Sequence, residues 1–485
     1  LFFAFITMLL TGLIGQFGCA NIIPPSGGPK DTVAPVLVTV TPGDTSKHFT
    51  ANKIVFNFDE YIDPKDVRTE LIVSPVPKVD PIVDAKLRTL TVRIKDTLQP
   101  NTTYSLNFGN AIRDVNEGNV LRGFTYVFST GDHIDQGQLG GYVYVASTGK
   151  VDSTMVVMLH TKLLDDSAVV KEKPRYLTRV DSTGRFFFRY LQPGRYRLFA
   201  MKDEGGSHKY LSSSQLFAFA DSSVIVTGNS PPQTLYAFSE TPDVGGKSTT
   251  KSGSGSSGSS TQSAPKSTPK KSSKEKEKDK RLQVQTNAAN NVFDVLDTFR
   301  LSFSTGLKTF DSTQIRFTDE NFKDIQSKLY RFIRDTTNKK FALYFNWPTD
   351  NKYHLILPKG FAQDSAGRRL LKDDTISFRT KKDIEYGEVR IRVLNLDMSR
   401  KPVLQFVQSD AVKFAYPFNA RREVRRILFP PGEYELRILY DANGNGVWDT
   451  GKFFGKQRRQ PEKVKSIRKK VTVKANWDND WDVTI

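Results

Sequence analysis

One cysteine serves 485 residues, and it stands at position 19. A single thiol excludes internal disulfides, cysteine-based zinc clusters and paired thiol redox chemistry. Histidine is almost as sparse. His48, His133, His160, His208 and His354 are scattered, without the H-E-x-x-H spacing of a metalloenzyme. Long hydrophobic runs are missing too. The greasy stretch Leu1–Phe17 is shorter than the roughly 20 residues that span a bilayer. No segment sustains a 3.6-residue apolar period, which argues against a helical fold; Phe322–Arg334 is the best helix candidate. No nucleophile elbow is present. Gly246-Lys247-Ser248 ends like a phosphate-binding loop, but Thr241 stands where its first glycine belongs. Asp59 and Glu60 are neighbours on a strand pattern and point to opposite faces, which does not suit a shared acid–base site. With no catalytic site to name, the chain is expected not to be an enzyme.

Positive charge is abundant, with 71 Lys and Arg against 52 Asp and Glu, a net of +19. Much of the excess is local. Lys247–Arg281 holds ten basic and three acidic residues, and Lys452–Lys470 holds nine basic residues and one Glu. The first run lies in "GGKSTTKSGSGSSGSSTQSAPKSTPKKSSKEKEKDK", which has almost no apolar side chain to offset ordering entropy. Residues 240–280 are therefore expected to be a disordered linker, dispensable for folding, whose cleavage releases two stable halves.

The leader ends at the cysteine. After Cys19 the chain turns polar and rich in Pro and Gly, as after a secretory signal. The sequence starts without Met or a basic stretch, so a few residues are expected to precede Leu1. The site resembles a bacterial lipobox, with Gly18 before the cysteine and Gln16 where Leu is usual; relaxed forms of this kind occur in Bacteroidetes. The resemblance implies residues 1–18 as signal peptide, lipidation of Cys19, and 19–31 as a lipid-proximal linker. Two or more acyl chains would hold the protein stably at a membrane. The implied location is the outer membrane. Ala20, Asn21, Ile22 and Ile23 follow the cysteine and Asp31 is the first acid, which favours the periplasmic face over the cell surface. A secreted, lipidated chain seldom meets nucleic acid, so its basic runs point to anionic lipid headgroups, lipopolysaccharide phosphates or an acidic protein face, the alternative being that they only solvate linkers and strand edges.

The halves on either side of the linker repeat each other. "KIVFNFDEYID" and "TFRLSFSTGLK" alternate apolar and polar residues as half-buried strands do. Further on, Tyr104 corresponds to Tyr353, Asp114 to Asp364, Gly118 to Gly367, and Phe128-Ser129-Thr130 to Phe378-Arg379-Thr380. This pattern resembles the bacterial Ig-like domain of the S-layer SbsA type. The first copy carries its Pro35, Phe56, Phe58, Asp59, Glu60, Asp63, Leu98, Pro100, Thr102, Tyr104, Asp114, Gly118 and Asn119. The second lacks the Glu and the Asp-Pro after the first strand. After each copy comes a second pattern, "LQPGRYRL" at 191–198 and "FPPGEYEL" at 429–436. Pro-Gly makes a tight turn, and Tyr and Leu two apart then share one face of a strand. It resembles the carboxypeptidase-regulatory, prealbumin-like β-sandwich of Bacteroidetes outer-membrane proteins.

The expected fold is all-β: four tandem β-sandwiches, an Ig-like and a prealbumin-like module, twice. The expected bounds are 32–132, 135–239, 281–382 and 384–485. The resemblance implies a non-enzymatic lipoprotein of the cell envelope, a scaffold for other envelope proteins. The alternative is a glycan-binding or glycan-processing accessory, with Trp347, Trp448, Trp477 and Trp481 as candidate sugar-stacking rings. One small-ligand candidate stands in "DANGNGVWDTG". Asp441, Asn443, Asn445, the carbonyl of Val447 and Asp449 occupy positions 1, 3, 5, 7 and 9 of a calcium loop around Gly446. Lys452 holds position 12, where a bidentate Glu is usual. The competing reading is an Asn/Gly-rich hairpin.

Overall fold

The computed structural model describes residues 30–163, 165–241, 281–455 and 457–485. The leader, Cys19, the linker up to residue 29 and the tether from 242 to 280 lie outside the described residues. Among the described residues the chain is strand and loop, with two four-residue α-helices, Val67–Glu70 and Ala168–Lys171.

The first Ig-like sandwich follows from alternation. In Lys53–Phe58, Ile54, Phe56 and Phe58 are buried while the residues between them face outward. That strand sits between Leu37–Thr41 and Thr89–Arg93, with Ile82–Lys86 beyond, all antiparallel. The facing sheet pairs Ile72–Ser74, Thr103–Asn107 and Thr125–Ser129. Phe56 meets Phe108, Phe124 and Tyr126 edge-on, at centroid distances of 5.6, 5.7 and 5.3 Å. Such pairs add to burial in fixing the core.

The second Ig-like sandwich repeats these contacts in register. Tyr104 lies opposite Phe128, and Tyr353 lies opposite Phe378. The Thr130 hydroxyl accepts the amide of Thr102 at 3.0 Å, and the Thr380 hydroxyl accepts that of Asn351 at 2.9 Å. Its sheets run Val284–Thr286, Phe299–Phe303, Lys340–Phe345, Tyr330–Arg334 and Val292–Phe293, Asp374–Thr380, Lys352–Leu357, Arg316–Asp319. The helix expected at Phe322–Arg334 is absent. The stretch holds a 3-10 turn at Ser327–Leu329 and then strand Tyr330–Arg334, paired along Lys340–Phe345. Pairing with an edge that already carries Phe341 and Leu343 outweighs the weak helical spacing.

The two remaining sandwiches share one topology. In each, a first strand (Gly137–Val145 or Gly387–Leu394) lies between an antiparallel neighbour and a parallel strand from the module's end. The opposite sheets centre on the strands that follow Pro-Gly, Gly194–Lys202 and Gly432–Tyr440. As the spacing predicts, Tyr196 and Leu198 face one core, and Tyr434 and Leu436 the other.

The chain forms two compact units. One takes the described residues of Leu1–Ala146, Lys150–Pro242 and Thr450–Pro461; the other takes those of Ser147–Gly149, Asp243–Asp449 and Glu462–Ile485. Unit 1 is thus built from chain on both sides of the tether, a feature not foreseen in the sequence.

Candidate functional site

The loop after strand Gly432–Tyr440 is where the sequence places its ligand residues. Gly444 and Gly446 take φ of +78° and +77°, the left-handed backbone that glycine adopts freely, and they wrap the chain around Asp441. The Asp441 side chain is buried. Its Oδ1 accepts the amides of Gly444 and Asn445 at 2.6 and 3.2 Å, and its Oδ2 accepts that of Gly446 at 2.6 Å. Asp449 Oδ2 accepts from the side-chain amides of Asn443 and Asn445 at 2.7 and 2.8 Å. Asn445 Oδ1 accepts the amide of Val447 at 2.7 Å. The five residues are therefore brought to one loop, and the side-chain oxygens of Asp441, Asn443, Asn445 and Asp449 accept from amides of that loop.

A third carboxylate joins them, which sequence reasoning missed. Glu462 Oε1 accepts the amide of Ala442 at 2.8 Å, and Oε2 that of Asp449 at 3.1 Å. It arrives at the foot of the returning strand Lys463–Val473, too far along the chain for any loop spacing to signal it. Among the described residues, no group of three or more His, Cys, Asp or Glu side chains has the geometry to hold a metal ion. In the sandwich that follows the first Ig-like module, Asp203 takes the place of Asp441. It accepts the amides of Ser207 and His208 and pairs with His208 Nδ1 at 2.6 Å.

The acids of the two Ig-like modules turn out to organise loops. Asp114 is buried and accepts the amides of Glu117, Gly118 and Asn119 at 2.6–2.9 Å. Asp364, fully buried, accepts from Thr305 Oγ1, the amides of Ala366 and Arg368, and Arg368 Nε. Burial pushes the Asp364 carboxyl up, but the hydrogen bonds from Thr305 and Arg368 outweigh it and hold the pKa at about 2. A folded pKa below the ordinary 3.8 gives stability that is full above that value and lost as pH falls toward 2. Asp364→Asn should therefore lower the melting temperature at pH 7 and flatten its decline in acid. An unchanged acid limb in urea titrations from about pH 6 to pH 2 would contradict this.

The tryptophans are unequal. Trp347 packs among Phe293, Phe299, Phe317, Phe345, Tyr353 and Phe378, so the core takes the ring proposed for sugar stacking. Trp448 donates from Nε1 to the Glu462 carbonyl at 2.8 Å and packs on Val403, Leu439 and Val464. Trp481 lies half-buried against the last core. Trp477 alone of the four is mostly exposed, at 61%, with the Lys474 ammonium over its ring. No helix among the described residues is long and apolar enough to cross a membrane.

Residues 31–130 match the family of the bacterial Ig-like domain. That span is the first sandwich, the copy in which the sequence motif is most complete. No curated protein matches the chain. Among solved structures, a fragment of native α2-macroglobulin from Escherichia coli spanning domains MG0-NIE-MG1 is 12% identical. The match covers 39% of this chain and 72% of that one, with a TM-score of 0.18. The Bacillus anthracis TIE protein is 11% identical over 95% of this chain and 75% of its own, at 0.16. The N-terminal part of the bacterial S-layer protein SbsC is 16% identical over 42% and 44%, at 0.15. With TM-scores this low, none of the three bears on function.

Proposed function

We propose that the protein is a non-enzymatic lipoprotein of the outer membrane, anchored through Cys19, whose sandwiches form a scaffold for other envelope proteins. The observation that carries this reading is the bacterial Ig-like domain at 31–130, placed directly after a lipobox-like sequence and repeated as β-sandwich modules. The buried acids support it. Asp114 and Asp364 are engaged in holding loops, as expected of modules that present surfaces instead of a reactive cleft. The periplasmic face and the Bacteroidetes origin belong to the same proposal. Membrane fractionation tests it: the wild type should sediment with outer membranes, and Cys19→Ser should leave an uncut or soluble form. Equal incorporation of a palmitate analogue by the variant and the wild type would overturn the anchor.

The same proposal gives the 441–449 loop calcium as its ligand, with Asp441, Asn443, Asn445, the Val447 carbonyl and Asp449 as donors. Glu462, which accepts the amides of Ala442 and Asp449, stands beside the loop whose position 12 lacks a carboxylate. Binding to the folded state alone raises the melting temperature by mass action. Added Ca²⁺ should therefore stabilise the wild type, and Asp441→Ala should abolish the rise. A flat response in the wild type leaves the loop a self-satisfied hairpin, in which Gly446→Ala is the damaging change because of its positive φ.

A further inference from the structure

Within unit 1, a cavity of about 570 Å³ opens where the loop after strand Ile72–Ser74 meets the hairpin that follows strand Met155–His160. Lys78, His160, Lys162, Glu172, Lys173 and Arg175 line it. Its walls are fixed. The Val76 amide donates to the Arg175 carbonyl at 2.8 Å, and Arg175 Nη1 donates to Gln99 Oε1 at 2.8 Å. Lys173 Nζ reaches the carbonyls of Pro77 and Lys78, each at 3.4 Å.

The charge in this cavity does not balance. Four cations face one carboxylate, Glu172, and Lys162 already bonds it. Lys173 and Arg175 rest on neutral carbonyl and amide oxygens and form no ion pair with Glu172. His160 adds a second, independent feature. Its side chain is 3% exposed, and its Nε2 has no hydrogen-bond partner among the described residues. An unanswered polar atom buried beside a charged cavity marks that wall as destabilised in the empty state. Burial holds the imidazole pKa down to about 4, with Arg197 acting the same way against Glu172. The ring is thus neutral at pH 7 and brings no further charge to the wall.

We propose that this cavity binds a phosphate group, with Arg175 and the lysines neutralising its oxygens beside the buried His160 ring. Arg175 Nη1 and Nη2 already donate to Gln99 and Gln192, so the guanidinium and the lysine ammoniums act on such an oxyanion as charges beside it. An excess of three positive charges suits a dianion better than a neutral sugar. The inference stands on unit 1 alone and is independent of the Cys19 anchor.

The test is titration of the full chain with inorganic phosphate, followed through the ring signals of His160 in histidine-labelled protein; His160→Gln serves only to assign them. Saturable movement of these signals is expected. The double variant Lys162→Gln, Lys173→Gln changes exposed lysines, so its melting should stay close to wild type while its affinity falls about tenfold or more. A parallel arm uses vesicles of phosphatidylglycerol against phosphatidylcholine. Movement with the anionic vesicles alone assigns the phosphate to a lipid headgroup; movement with free phosphate assigns it to soluble phosphate compounds. Silence in both arms, or equal affinity in the double variant, overturns the proposal.

Discussion

Alanine at Gly141 should destabilise the sandwich built on strand Gly137–Val145 by about 3 kcal/mol, at the upper end of what one added methyl group costs. Gly141 is buried in strand Gly137–Val145, opposite Gln233 of the parallel strand Gln233–Ala237. A Cβ there would lie 1.9 Å from the Gln233 carbonyl oxygen and 2.8 Å from the Phe186 ring. The first contact is with backbone, so no side chain can swing away to relieve it. The parallel pair must part, and with it the sheet that covers Leu139, Val143 and Leu235. Gly205→Ala is the control, since nothing lies within 4 Å of its Cβ position. Urea denaturation of both variants should separate them clearly. Equal stabilities would mean that the parallel register of this strand is wrong.

Cutting the tether should not separate the fragments. The sequence suggests two independent halves, but unit 1 includes Thr450–Pro461. Within unit 1, Phe453 is 1% exposed, with ring centroids 4.9 Å from Phe217 and 5.1 Å from Phe219. The Arg458 guanidinium lies 4.3 Å from the centre of the Phe219 ring. Thr450 Oγ1 donates to the Ser239 carbonyl at 2.6 Å, and Gln460 Nε2 to Asp221 Oδ1 at 2.7 Å. Removing a buried Phe costs about 3–5 kcal/mol, so Phe453→Ala should weaken unit 1 by that order. After limited proteolysis between Lys247 and Arg281, wild-type fragments should co-elute in size exclusion, and those of Phe453→Ala should come apart. Separation of the wild-type fragments would contradict the account of unit 1.

These two results mark what the sequence could and could not tell. Strand alternation was legible because Ile54, Phe56 and Phe58 are buried and their neighbours are not. The Ig-like repeat was legible because Tyr104 and Tyr353 perform one task at one register. Phe322–Arg334 misled because a short apolar spacing does not reveal that Tyr330–Arg334 has an edge to pair with. Glu462 and Phe453 were hidden for a common reason. Each acts on residues remote in sequence, and neither stands in a motif. His160 was visible only as one of five scattered histidines; its unanswered Nε2 and the lysines around it appear once the hairpin is folded.

The anchor is the claim on which the proposed function rests, and the mass of the mature N-terminal peptide tests it most directly. Protein purified from its own membranes would be digested and its first peptide measured by mass spectrometry. The account predicts a peptide that begins at Cys19 and carries two or more acyl chains. A peptide that runs through Gly18 into an unmodified Cys19 would contradict it.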